Sequence, residues 1–159
     1  MQVSNLARRR EKTAAYSLLV EAMKRMSLYR ELPITEYAEN GKPYLKNYPH
    51  LHFNLSHCSR YVAVALNERT PVGIDIECRR KVSTSLIKRV CNREEQQTIA
   101  EATDSDLEFL RIWTRKEAYL KYTGTGIVEP LTNIPPQDTC HTIDTHPLPE
   151  GNGWVSVCW

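Results

Sequence analysis

From Arg8 to about Tyr29, apolar residues return at Ala15, Leu18, Ala22, Met26 and Tyr29, with no Gly or Pro between them. That spacing predicts a helix with one apolar face over roughly residues 11–29. Pro33, Asn40-Gly41, Pro43 and Pro49 then break the pattern, so residues 31–50 read as loop with one short strand at most. Leu51 to Leu55 and the near-continuous apolar run Tyr61 to Leu66 predict two strands, and Val72 to Glu77 predicts a third, rich in β-branched residues. A short helix follows at 84–90. Asn92 with Glu95 resembles a capping box for a helix to about Ala102, and Ser105 with Glu108 repeats the signal for a helix over 106–122 that Gly124 and Gly126 end. Strands near 140–145 and 153–158 close the pattern. Helix, strands, helices, strands in that order predict an α+β fold with an antiparallel or mixed sheet.

With 159 residues, 41% apolar and 25% charged, the chain suits one compact domain and not a fibrous or disordered one. The two stretches 1–70 and 71–159 have similar content, each a long helix and a few strands. A net charge of +2 does not single out nucleic acid or a membrane surface as partner. No stretch approaches the roughly 20 apolar residues that cross a bilayer. MQVSNLARRREK carries charge with no apolar segment behind it, so a cytoplasmic location is expected. Cys58, Cys78, Cys91, Cys140 and Cys158 include no C-x-x-C, which favours reduced thiols over a disulfide framework or a zinc site.

Charge sits against the local pattern in three places. On the strand 72–77, Asp75 and Glu77 share one face, roughly 7 Å apart by the strand rise. Such a pair is either a solvated outer face or half of a site for a hard divalent cation. On the helix 106–122, Leu110, Trp113 and Leu120 trace an apolar seam whose vacant place falls on Glu117. A carboxylate there needs a metal or a partner; Lys121, one turn on, offers a structural pair. Lys116 is off this seam and reads as solvated. His57 follows Ser56 at a strand end. Adjacent strand residues face opposite ways and no Asp partner is evident, so an anion contact suits the pair better than a serine hydrolase. Asp75, Glu77 and Glu117 with Lys121, Lys42 and His57 suit divalent-metal-assisted phosphoryl chemistry.

The strings FNLSH, VGIDIE and WTRKEAYLKYTGTG in this order, with GKP at Gly41–Pro43, resemble the 4′-phosphopantetheinyl transferases of the surfactin-synthetase-activating type. The resemblance runs from about residue 8 to about 128. It implies a pseudo-dimer of two α/β halves with coenzyme A in the cleft between them. It also implies transfer of phosphopantetheine from coenzyme A to a serine of an acyl or peptidyl carrier protein, releasing 3′,5′-ADP. By the same resemblance Asp75, Glu77 and Glu117 bind Mg²⁺, Glu117 is the general base, and Lys121 holds the pyrophosphate. Ser56 and His57 contact phosphate, Gly41, Lys42 and Pro43 run along the adenosine, and Ser17 lies near the 3′-phosphate. The family's long form has a strand and a basic segment before the first helix. A shortened first half is therefore expected, with Arg8, Arg9 and Arg10 substituting at the 3′-phosphate. The family usually has Ser where Cys58 stands, and often an aromatic where Asn40 stands. The basic residues Arg79, Arg80, Lys81, Lys88, Arg89 and Arg93 suit an acidic carrier protein as partner. No nucleic acid, no membrane and a monomeric state are expected. Two alternatives stand beside this reading: a catalytically impaired homologue that binds coenzyme A or carrier, and a metal-dependent nuclease, although the latter usually carries E-x-K on a strand.

Overall fold

The computed structural model describes residues 2–126, 130–134 and 142–159, with the backbone alone for residues 2–9. Helix α1 spans Gln2–Arg25, longer at its start and shorter at its end than the periodicity predicts. It stops where Ser27 takes a left-handed conformation (φ 60°) and the Leu28 N–H turns back to Met23 O at 2.8 Å. Its buried row is Ala15, Leu19 and Met23, not the row through Leu18, Ala22 and Met26, and Met26 is 46% exposed. Both rows start at Ala15. The i+4 row wins because it carries the bulkier apolar side chains into the core with Leu45, Tyr48, Leu51 and Phe53.

Residues 31–50 hold more order than the sequence suggests. Strands β1 (Thr35–Tyr37) and β2 (Pro43–Leu45) pair antiparallel, and Gly41 turns the chain between them at φ 80°. Strands β3 (His52–Cys58) and β4 (Tyr61–Asn67) form a second hairpin, with α1 against β4. The third sheet has β5 (Gly73–Cys78), β6 (Ile143–Pro147) and β7 (Gly153–Cys158) in the order β5-β7-β6, all antiparallel. Helices α2 (Thr84–Val90), α3 (Arg93–Glu101) and α4 (Ser105–Thr123) lie between β5 and β6 in the chain, and α4 packs on β5 and β7. The class is α+β. The Asn92–Glu95 capping box forms as expected. For α4 the cap is Asp104, one residue earlier than expected, its carboxylate accepting Leu107 N–H at 3.0 Å. Glu108 instead pairs with Arg111 at 2.6 Å.

One core gathers α1, β2 and β3; another gathers Val90, Ile99, Phe109, Leu110 and Ile112 under α2–α4. Between them β3 lies beside β5, joined by side chains rather than a backbone ladder. The Asn54 amide oxygen accepts Ile74 N–H at 2.9 Å, and the Ser56 hydroxyl accepts Ile76 N–H at 3.3 Å. Cys58 and Cys78 form a disulfide with Cα atoms 5.7 Å apart, which corrects the expectation of reduced thiols. C-x-x-C spacing gave no sign of it, because the partners sit on separate strands that only the fold makes neighbours. Cys91 and Cys158 are buried and take no part in this bridge; Cys140 lies outside the described residues. On the other side of β5, Gly73 lets the strand touch α4. A Cβ there would stand 2.1 Å from Ala118 O and 2.3 Å from Tyr122 N.

Candidate active site

The close approach at Gly73 brings β5 and α4 together along the stretch that carries the predicted acids. Asp75 is buried. Its Oδ1 accepts hydrogen bonds from the Ser56 hydroxyl (2.9 Å) and the Lys121 ammonium (2.7 Å). Lys121 also donates to Ser56 Oγ at 3.2 Å and Ile74 O at 3.1 Å. The pairing that forms is thus Lys121 with Asp75, across the strand–helix contact, and not Lys121 with Glu117 along the helix. Glu77 is half-buried and accepts the Trp113 indole N–H at 3.0 Å, with Arg80 Nε at 3.6 Å on its other oxygen.

Burial pushes the Glu77 carboxyl above its ordinary range. Arg80 pulls it down, Asp75 pushes it up, and the Trp113 hydrogen bond opposes the rise. Glu117 is also raised, first by burial, then by the charge of Asp75, with Lys121 opposing and Glu77 adding. The three carboxylates therefore feel one another, and Lys121 alone does not offset them. Among the described residues, no group of three Asp, Glu, His or Cys side chains is gathered tightly enough to hold a metal ion as it stands. The donor set nonetheless fits a hard cation. Asp75 Oδ2 is buried with no hydrogen-bond partner, and its two neighbouring carboxyls are raised first by burial, with the charge of Asp75 adding to each.

Glu117 and Lys121 open into a cleft of about 340 Å³ whose facing wall is Gly41, Lys42, Pro43 and Asn54. Lys42 crosses to the end of α4, donating to Tyr122 O at 2.9 Å, and burial lowers its pKa. Asn40 ties the same corner, its amide donating to Gly124 O at 2.7 Å. Gly124 is left-handed (φ 70°), and a Cβ on it would stand 3.1 Å from the Lys42 stem.

Other predicted residues are not drawn in. Ser17 is exposed in a separate concavity along α1 with Lys12, Tyr16 and Lys24, which shares no lining residue with the cleft. His57 is exposed on the opposite face of β3 from Ser56, its Nδ1 3.5 Å from a Glu11 oxygen. Arg10 is exposed, and the side chains of Arg8 and Arg9 lie outside the described residues. Lys116, read as solvated, is 1% exposed. Its ammonium donates to Glu95 (2.7 Å), Leu131 O (2.9 Å) and Val90 O (3.0 Å). Helical periodicity missed this because a row of apolar positions says nothing of a lysine that carries its own acceptors. Asn54 and Trp113 were also missed. Alternation along β3 places Asn54 with Ser56, and Trp113 stands one helical turn before Glu117.

An acidic pair on a strand, faced by a glutamate and a lysine from one helix turn above a cleft, has a counterpart among known proteins. The model of the 4′-phosphopantetheinyl transferase superfamily matches residues 71–156, more than half of the chain. The chain belongs to that superfamily. It is similar to the 4′-phosphopantetheinyl transferase psf-1 of Bacillus pumilus, 37% identical over 110 residues covering 68% of this chain and 47% of that protein. It is also similar to the transferase Sfp of Bacillus subtilis, at 36% over 60% of this chain and 43% of that protein. A putative 4′-phosphopantetheinyl transferase of Haemophilus influenzae is 33% identical over 89% of this chain and 60% of its own length. The chain spans about half the length of the curated relatives it matches.

Proposed function

We infer that this protein transfers 4′-phosphopantetheine from coenzyme A to a serine of an acyl or peptidyl carrier protein, releasing 3′,5′-ADP. The observation that carries the reading is that Glu117 and Lys121 line one cleft with Gly41, Lys42 and Pro43, while Lys121 bonds Asp75 and the charges of Asp75 and Glu77 reach Glu117. Asp75, Glu77 and Glu117 would hold Mg²⁺, which when bound neutralises pyrophosphate charge and eases attack by a nucleophile. Glu117 accepts the proton of the incoming serine hydroxyl; its raised pKa brings it nearer the working pH of a base. Lys121 stabilises charge on the departing phosphate. Ser56 holds Lys121 and Asp75 in register, and Lys42 lies along the nucleotide. Arg8, Arg9, Arg10, Ser17 and His57 are assigned to the phosphates of coenzyme A on the family resemblance alone. The chain acts as one domain of two halves, 1–70 and 71–159, monomeric and in the cytoplasm, with an acidic carrier as partner.

The test is a mass measurement. Apo carrier protein incubated with the chain, coenzyme A and Mg²⁺ gains the mass of one phosphopantetheine, and chelation abolishes the gain. No gain, with coenzyme A still bound, replaces the transferase with the impaired homologue. Stabilisation by DNA and not by coenzyme A favours the nuclease.

A further inference from the structure

The contacts between β3 and β5 follow a single rule. Asn54 meets Ile74, Ser56 meets Ile76 and Cys58 meets Cys78, each pair 20 residues apart. Alternate residues of β3 face β5, so the strands run side by side in a parallel sense with rungs made of an amide, a hydroxyl and a sulfur bridge. This ladder joins the sheet under α1 to the sheet under α4. Its middle rung is also the hydroxyl that bonds Asp75 and Lys121. Only the last rung is covalent, and it stands two residues from Ser56 on one strand and next to Glu77 on the other.

We propose that the Cys58–Cys78 bond is a thiol–disulfide exchange site whose state sets the firmness of this seam, and with it the order of the Ser56–Asp75–Lys121 cluster. Both cysteines are partly exposed, beside exposed Ser59, Arg60, Arg79 and Arg80, so a small dithiol reaches them; Cys91 and Cys158 are buried. A bridge so placed is exchanged in a reducing compartment rather than kept permanently. In the exchange, one thiolate of a dithiol attacks a bridge sulfur and forms a mixed disulfide. Its second thiol then displaces the protein sulfur. The dithiol is oxidised to its own disulfide, while Cys58 and Cys78 take up two electrons and two protons. With the bridge open, the seam rests on the two hydrogen-bonded rungs, whose donors are the Ile74 and Ile76 amides.

Those amides supply the test, which needs no substrate. Non-reducing peptide mapping of the isolated protein after treatment with oxidised glutathione recovers Cys58 and Cys78 linked. Dithiothreitol then speeds hydrogen exchange at Ile74 and Ile76 by about fivefold or more, leaves the central turns of α4 unchanged, and lowers the melting temperature by about 5 °C. Cys58→Ser shows the faster exchange without reductant and no further response to it. If that variant does not fold, wild-type protein with and without dithiothreitol decides the matter. Cysteines that stay unlinked under that oxidation overturn the proposal, as does unchanged exchange at Ile74 and Ile76 once both thiols are free.

Discussion

Lys116 and Lys121 stand on one helix, and each ammonium meets a carboxylate at 2.7 Å, but the first is 1% exposed and the second 28%. Lys116 has its three protons on Glu95 and two carbonyls, so it neither moves nor reacts. Replacing it alone, as Lys116→Met, leaves Glu95 buried and unpaired. The expected loss is about 3–5 kcal/mol in urea unfolding, most of which Lys116→Met with Glu95→Leu recovers. Lys121 instead faces a cleft and acids that burial holds at raised pKa. For Glu117 the sign is definite. A carboxyl raised in the folded state contributes stability below its unfolded pKa and loses it as pH rises through the folded one. Glu117→Gln therefore melts above wild type at pH 7, and the two converge below the ordinary glutamate range. The same variant retains coenzyme A binding and loses turnover, because an amide offers an oxygen but accepts no proton. Equal melting curves at pH 7 contradict the raised pKa of Glu117, and a loss confined to affinity rules out the base role. Asp75→Ala loses transfer and also stability, since the buried Asp75 carboxylate is bonded to Ser56 and Lys121 and not merely repelled by Glu77.

At the scale of elements, the strength of the local signal decided what the sequence revealed. Strands β3, β4 and β5 and helices α2–α4 were legible because alternation, β-branched residues and capping pairs all pointed the same way. The β1–β2 hairpin was not, since three-residue strands interrupted by Asn40-Gly41 and Pro43 carry too little periodicity to separate from loop. Glu117 stood out because a charge in an apolar row contradicts its surroundings, and Asp75 and Glu77 because two carboxylates share one strand face. The tertiary partners, Asn54 to Ile74 and Cys58 to Cys78, left no trace, since pairing between β3 and β5 rests on side chains rather than a hairpin turn. Gly73 is the element-scale hinge of the site. It interrupts a β-branched run, and its missing Cβ is what permits contact with α4. Gly73→Ala places a methyl against backbone that has nowhere to go. The expected cost is at least about 3 kcal/mol by chemical denaturation, with coenzyme A affinity falling as Lys121 and Glu117 shift from β5. Wild-type stability in that variant contradicts the close packing of β5 on α4.

Across the whole molecule, charge takes a different form from its order in the sequence. The run Arg79, Arg80, Lys81 looks like a bare basic patch, yet Arg79 pairs with Asp104 at 2.5 Å, Arg80 approaches Glu77 at 3.6 Å, and Lys81 meets Asp106 at 2.9 Å. Asp104 also caps α4, so Arg79 helps fix where α4 begins. Reversing these residues would disturb the site as well as any docking surface. Lys88, Arg89 and Arg93, exposed on α2 and at the start of α3, offer another positive face. An acidic carrier steered by that face gains in encounter rate more than in final affinity. Lys88→Glu with Arg89→Glu is therefore expected to raise the carrier KM by about fivefold to tenfold and to leave the coenzyme A KM within about twofold. Salt separates this from a general loss of fold. Exposed charges are screened beyond about 10 Å at 0.1 M ionic strength, so the wild-type carrier KM climbs with added salt while that of the double variant changes little. Parallel salt curves for the two proteins, or equal changes in both KM values, place carrier docking elsewhere on the molecule.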